Sequence, residues 1–118
     1  MPAPFPRARQ SAKLALVIFG LCSAGAIAAE DPQTIDVTLK DHRFTPSEIH
    51  VQSGKPTVLK IKNEDATADE FESSALKAEK IVPAHGSALV RLRPLGPGRY
   101  PFVGEFHSDT AKGVVISE

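Results

Sequence analysis

Short runs of alternating apolar and polar residues, separated by turn signals, are the feature that most constrains the fold of this chain. One such run is Ile35-Asp-Val37-Thr-Leu39, and glycine- and proline-rich turns such as SGKP and PLGPG separate it from similar runs. Short strands at a spacing of about 8 to 12 residues are typical of an antiparallel β-sandwich with Greek-key connections. We therefore predict an all-β fold with seven or eight strands, and a short helix only at Ser74–Lys80.

The N-terminal residues have the organisation of a secretory signal peptide. Arg7, Arg9 and Lys13 precede an uncharged apolar stretch, Leu14–Ala28, which ends in a small-x-small cleavage pattern. The stretch has about 15 residues and is shorter than the roughly 20 that a membrane-spanning helix needs. The sequence therefore predicts a signal peptide at 1–28 and one exported domain at 29–118, without a membrane span in the mature chain. The alternative interpretation is an uncleaved N-terminal anchor.

The composition of residues 29–118 excludes several classes of protein. Cys22 and Met1 are the only sulfur-containing residues, and cleavage after Ala28 removes both. The mature chain then has no thiolate for a disulfide, an iron–sulfur cluster or a c-type haem. It keeps 11 of the 14 basic residues and all 14 acidic ones, so its formal charge is −3 and no nucleic-acid partner is expected. The sequence lacks a Gly-x-Ser-x-Gly elbow and a glycine-rich phosphate loop, which argues against a hydrolase or transferase.

Several pieces of residues 29–118, taken in order, resemble the cupredoxin family. The pieces are FTPSEI from Phe44, VQSGKP from Val51, the strand that ends in Asn63, EFE from Glu70, PLGPGRY from Pro94, and the segment from Phe102 to Gly113. The phrases EFESSALKAEK and GEFHSDTAKG are most similar to EfeO-type cupredoxin-like domains, the small periplasmic proteins of bacterial permease-type iron-uptake systems. The resemblance implies a periplasmic metal-binding protein that oxidises ferrous iron or hands iron over. Its implied partners are a periplasmic iron-binding protein and an inner-membrane iron permease.

The chain departs from the blue-copper members of that family at the ligand positions. Their metal is held by two histidines and a cysteine, with a weak axial methionine. The resemblance places Gly104 at the cysteine position and Ala111 near the methionine position, whereas His107 coincides with the loop histidine. Asp69 or Glu70 falls where the first histidine would be. A blue thiolate centre is therefore excluded by composition.

Imidazole and carboxylate groups near those positions are the candidate ligands of a different metal site. His107 and Glu105 are two residues apart, as are Glu70 and Glu72, so each pair would share a face of an extended segment. His42 precedes the Phe-Thr-Pro bend and can reach the same rim. Nitrogen and carboxylate ligands suit Cu(II) and iron better than Cu(I). We predict a non-blue site for copper and/or iron, with at most a ferroxidase activity.

The remaining histidines and the nearby acidic residues are not expected to bind the metal. His50 alternates with apolar neighbours and should face solvent, and His85 lies in a turn. Glu64, Asp65 and Asp69 are expected to belong to a solvated acidic loop. The rival hypothesis for the whole chain is a metal-free cupredoxin-like scaffold that acts through protein–protein contacts. The carboxylates and the histidine at the ligand end of the domain favour the metal hypothesis.

Overall fold

The computed structural model describes Pro4 and residues 31–118, so the predicted signal peptide, apart from Pro4, lies outside the described residues. The described part contains nine strands and one 3₁₀ turn, Glu105–His107. The strands are β1 Gln33–Lys40, β2 Arg43–Thr45, β3 Glu48–Val51, β4 Thr57–Asn63, β5 Asp69–Ser73, β6 Ala78–Val82, β7 Ser87–Leu92, β8 Gly98–Gly104 and β9 Lys112–Ser117.

The strands form two sheets, as the alternating pattern predicts. One sheet has the order β2-β1-β4-β7 and the other has the order β3-β9-β8-β5-β6. The predicted all-β sandwich is confirmed, although the pairs β1–β4 and β3–β9 are parallel and the other pairs are antiparallel. Among the described residues, no helix is long and apolar enough to cross a membrane.

The core between the sheets is filled by the inward-facing apolar side chains of the strands and contains no disulfide bond in the described residues. In β7, Ala88, Val90 and Leu92 are buried and the residues between them are exposed. At the end of the sandwich that carries the candidate ligands, Phe71 and Phe102 stack with ring centroids 4.9 Å apart. These rings form an apolar floor below the polar residues of that end.

The predicted helix at Ser74–Lys80 is wrong, because this segment is the turn of a β-hairpin. Strand β5 ends at Ser73, which pairs with Ala78, the first residue of β6. The Lys77 N–H donates to the carbonyl of Ser74 at 3.2 Å, and Lys77 has a φ of 52°. A helix of this length is unstable by itself, and pairing of β6 with β5 supplies hydrogen bonds that such a helix would lack.

Candidate metal centre

Two of the predicted ligands, His42 and His107, stack on each other at one end of the sandwich. Their ring centroids are 3.6 Å apart and the ring planes differ by 11°. His42 belongs to the two-residue turn between β1 and β2, in which Asp41 and His42 have φ values of 51° and 55°. Positive φ at both central residues matches the tight turn that joins antiparallel strands. The hydroxyl of Thr110 donates to the carbonyl of His42 at 2.7 Å and ties this turn to the last loop.

The carboxylate of Asp65 holds the turn that carries His42. It accepts the backbone N–H groups of Asp41 at 2.7 Å and of His42 at 3.0 Å. The Nδ1 atom of His42 lies 3.5 Å from Oδ2 of Asp65. Burial raises the pKa of Asp65, but these two backbone hydrogen bonds and the charges of His42 and His107 outweigh burial, so the pKa is lowered from its ordinary value.

The carboxylate of Asp69 holds His107 from the inside of the fold. Oδ1 accepts the N–H groups of Glu70 at 2.8 Å and of Phe106 at 3.0 Å, and Oδ2 lies 2.9 Å from Nδ1 of His107. The Asp69 residue is only 1% exposed. An ionised carboxylate only accepts hydrogen bonds, so a neutral His107 ring in this contact would carry its proton on Nδ1 and present the lone pair of Nε2.

The expectation that Asp65 and Asp69 belong to a solvated loop is wrong. The Asp69 side chain occupies an inward-facing position of β5, like those of Phe71 and Ser73. The Asp65 side chain is 12% exposed because the β1–β2 turn covers it. Glu64 is exposed, as expected, and lies 3.9 Å from Lys62.

Asp69 also fills the space in which the resemblance places the cysteine and methionine ligands. A Cβ atom on Gly104 would lie 2.6 Å from Oδ2 of Asp69 and 2.8 Å from Cβ of Ala111. Ala111 is fully buried, and its carbonyl accepts the N–H of Gly104 at 2.8 Å. The interior therefore contains a hydrogen-bonded carboxylate where a blue-copper protein has its ion. These residues do not fit a buried copper centre of that type.

A second group of predicted ligands meets on the outer face of β5. Carboxylate oxygens of Glu70, Glu79 and Glu105 all lie within 4.8 Å of one another. Hydrogen bonds with Glu105 and Glu79, together with some burial, raise the pKa of Glu70 to about 7. Three carboxylates this close together repel one another when all are ionised, which is a further physical reason for the raised pKa of Glu70. Glu79 is not among the predicted ligands because the predicted helix does not place it beside β5, whereas in the hairpin it pairs with Glu72 of that strand.

The pairing of Glu105 with His107 differs from the prediction. The two residues lie in a 3₁₀ turn, so they do not share a face as they would in an extended segment. His107 contacts Asp69, whereas Glu105 joins Glu70. Glu72 lies two residues further along β5 and is not part of the carboxylate group.

The two other histidines are exposed, and the backbone N–H of His85 donates to the carbonyl of Asp65 at 3.0 Å. His50 is exposed, and its Nδ1 lies 2.9 Å from Oε1 of Glu118. His85 is exposed in the turn between β6 and β7. His50 contacts a carboxylate, that of Glu118, as His42 and His107 contact theirs, but no second imidazole stacks on it in the described part of the chain. It is therefore a matched control for His42 and His107.

Comparison with known proteins agrees with this fold. A sequence profile of the family described as "Cupredoxin-like domain" matches residues 12–117. The chain belongs to this family. It is 45% identical over 82 residues to the uncharacterized protein RP394 of Rickettsia prowazekii (strain Madrid E), an alignment that covers 70% of this chain and 66% of that relative.

Two solved copper proteins share the fold of this cupredoxin-like domain. Auracyanin A, a "blue" copper protein of Chloroflexus aurantiacus, is 15% identical, with a TM-score of 0.65 and coverage of 75% of this chain and 100% of its own. The metal-binding domain of the Cu(I)-exporting P-type ATPase CopA of Streptococcus pneumoniae D39 is 16% identical, with a TM-score of 0.64 and coverage of 72% and 84%. These two likenesses agree with the family match in giving the chain a cupredoxin fold.

Proposed function

We propose that this cupredoxin-like domain is a periplasmic metal-binding protein that holds copper and/or iron through nitrogen and oxygen ligands. The observation that carries the proposal is the stacked pair of His42 and His107, in which each imidazole lies against a carboxylate. Histidines that ligate a metal usually donate their other ring N–H to such a carboxylate.

Copper in its Cu(II) state is the first candidate for the bound ion. Imidazole and carboxylate donors suit Cu(II), and the described residues contain no sulfur ligand. Iron is supported by the carboxylates of Glu70 and Glu105 and by the resemblance to iron-uptake proteins. Carboxylates stabilise Fe(III) relative to Fe(II) because of their negative charge.

The role that we propose for this domain is assistance of iron uptake. In the redox form of the proposal, His42 and His107 would hold a Cu(II) ion that could accept one electron from Fe(II), giving Fe(III) and Cu(I). Each copper ion would oxidise one iron ion unless an external oxidant restored Cu(II). In the handover form, the domain gives its ion without turnover to a periplasmic iron-binding protein and an inner-membrane iron permease. The two forms differ in whether ferrous iron disappears in the presence of the copper-loaded protein.

The test is a titration of the purified protein with Cu(II) and, without oxygen, with Fe(II). Saturable binding of one ion should raise the melting temperature, because an ion at about 100 times its Kd adds roughly 2.7 kcal/mol when it binds only the folded state. The change His107→Ala should abolish this increase, and His50→Ala should leave it intact. Absence of saturable binding of both ions would refute the proposal. A colorimetric assay of Fe(II) with the copper-loaded protein then separates the redox form from the handover form.

The second candidate function is a metal-free scaffold that acts through protein contacts. It is favoured by the Asp69 carboxylate, which closes the interior without a metal, and by Phe106, which is 54% exposed beside it. This candidate predicts that neither ion changes the melting temperature. It also predicts that Phe106→Ser weakens binding to the protein partner while the domain stays folded.

A further inference from the structure

We infer that the metal site of this chain lies outside the buried position of the fold and consists of the Nε2 atoms of His42 and His107. This inference deepens the proposed function and rests on it. The expected ligand is a divalent cation that favours imidazole nitrogen, with Cu(II) as the best candidate.

The first step is that the interior offers no coordination position. The oxygens of Asp69 accept three hydrogen bonds, from two backbone N–H groups and from Nδ1 of His107. No side chain fits beside them, since a Cβ atom on Gly104 would lie 2.6 Å from Oδ2 and 2.8 Å from Cβ of Ala111. An ion at this point would have to break hydrogen bonds of a buried charge, which is costly. The ion must therefore bind on the solvent side of the imidazoles.

The second step is that both imidazoles have one nitrogen left for an ion. Nδ1 of His107 contacts Asp69 at 2.9 Å, and Nδ1 of His42 contacts Asp65 at 3.5 Å. Among the described residues, Pro4 and 31–118, neither Nε2 atom has a hydrogen-bond partner. Since no buried side-chain nitrogen or oxygen lacks a hydrogen-bond partner in the described part, both Nε2 atoms are accessible to solvent. The exposed fractions of the side chains, 41% for His42 and 26% for His107, agree with this conclusion.

The third step is that the two aspartates act as positioning residues. Asp69 fixes the ring of His107 by a hydrogen bond, whereas Asp65 fixes the backbone of His42 and lies 3.5 Å from its Nδ1 atom. Hydrogen-bonding partners of this kind orient a ligating imidazole and typically change metal affinity by about 10–100-fold when they are removed. Neither aspartate touches the ion in this arrangement.

The stacked rings must move apart before both can bind one ion. Each Nε2 lone pair lies in the plane of its own ring, and the planes are nearly parallel at 11°. Parallel planes do not direct both lone pairs at one point, so the rings must tilt apart when an ion binds. His42 is the more exposed of the two rings and its Nδ1 atom lies 3.5 Å from Asp65, against 2.9 Å between His107 and Asp69, so the ring of His42 is the one that we expect to tilt. Binding should therefore unstack the pair, and Zn(II), which is diamagnetic, should shift the ring proton resonances of both histidines.

The experiment compares Cu(II) binding by the purified wild-type protein with that of four variants, using isothermal titration and electron paramagnetic resonance. His42→Ala and His107→Ala should each weaken binding by roughly 100-fold or more, since a lost ligand costs more than a lost hydrogen-bonding partner. Asp65→Asn should weaken it by about 10–100-fold and keep a signal from two imidazole nitrogens. His50→Ala should bind like wild type. Circular dichroism of each variant shows whether it is folded.

The outcomes separate this inference from the proposed function. If Cu(II) binds stoichiometrically to wild type and equally well to folded His42→Ala, the two-imidazole site is wrong and the function stands. If long-range ¹H–¹⁵N spectra of the Zn(II)-loaded protein show binding at Nδ1, the outward site is also wrong, and this result needs no variant. If wild type binds no metal, both proposals fail.

Discussion

The hydrogen bonds of Asp69 predict that its removal is among the most destabilising single changes in this domain. In Asp69→Ala, two backbone N–H groups and Nδ1 of His107 lose a buried, charged acceptor. Loss of one partner of a buried charged group costs about 3–5 kcal/mol. Domains of this size are stable by about 5–15 kcal/mol, so the variant should retain only part of its stability.

Urea unfolding followed by circular dichroism measures this loss. With a slope of about 1 kcal/mol/M, the unfolding midpoint should fall by roughly 3 M or more. Asp69→Asn keeps the shape of the side chain but has only one acceptor oxygen. Its unfolding midpoint should therefore lie between those of wild type and Asp69→Ala. Asp36→Ala, an exposed aspartate in β1, is the matched control and should change stability by less than about 0.5 kcal/mol. A loss below about 1 kcal/mol in Asp69→Ala would refute the conclusion that this carboxylate holds the loop in place.

Three further predictions concern single positions. NMR titration of the Glu70 carboxyl should give a midpoint near 7, and Glu105→Gln should move it toward the ordinary value of 4.5; an unchanged midpoint would contradict the hydrogen bond between the two carboxyl groups. Since this pKa is raised in the folded state, its stabilising contribution is complete below about pH 4.5 and is lost as the pH rises through about 7, so wild type should lose more stability over this interval than Glu70→Gln. Gly104→Ala should lower the free energy of unfolding in urea by about 1–3 kcal/mol, because the added methyl group overpacks the interior. Gly96→Ala should lower it less, since its methyl group would meet only the Tyr100 hydroxyl at 4.0 Å. Lys77→Gly should stabilise the domain by about 0.5–1 kcal/mol, since φ is 52° there, and a lower unfolding midpoint would contradict this reason.

The strands could be predicted because each buries one face, and burial of one face leaves an alternating pattern in the sequence. The same pattern contains no information about which strands lie side by side. The parallel pairs β1–β4 and β3–β9 depend on the order of strands in the finished sheets, which long-range packing decides. For that reason the sandwich was predictable and its mixed pairing was not.

The burial of Asp69 could have been found by the same alternation. Asp69, Phe71 and Ser73 occupy one face of β5, and that face points into the core. The run of acidic residues suggested a solvated loop, and this local signal concealed the two-residue period. The stacking of His42 on His107 had no signal of this kind, because it joins two turns that are distant in the sequence and meet only in the folded sheets.

At the ligand end of this domain, a buried carboxylate at position 69 and a cysteine at position 104 exclude each other. The carboxylate of Asp69 fits only because Gly104 has no side chain and Ala111 has only a methyl group. Gly104 has φ and ψ values of −87° and 105°, which any residue adopts, so space and not backbone conformation excludes a cysteine there. A thiolate at position 104 and a buried carboxylate at position 69 would occupy the same volume. A chain that keeps the carboxylate gains a loop that is held without metal, and any metal it binds must use nitrogen and oxygen atoms nearer the solvent.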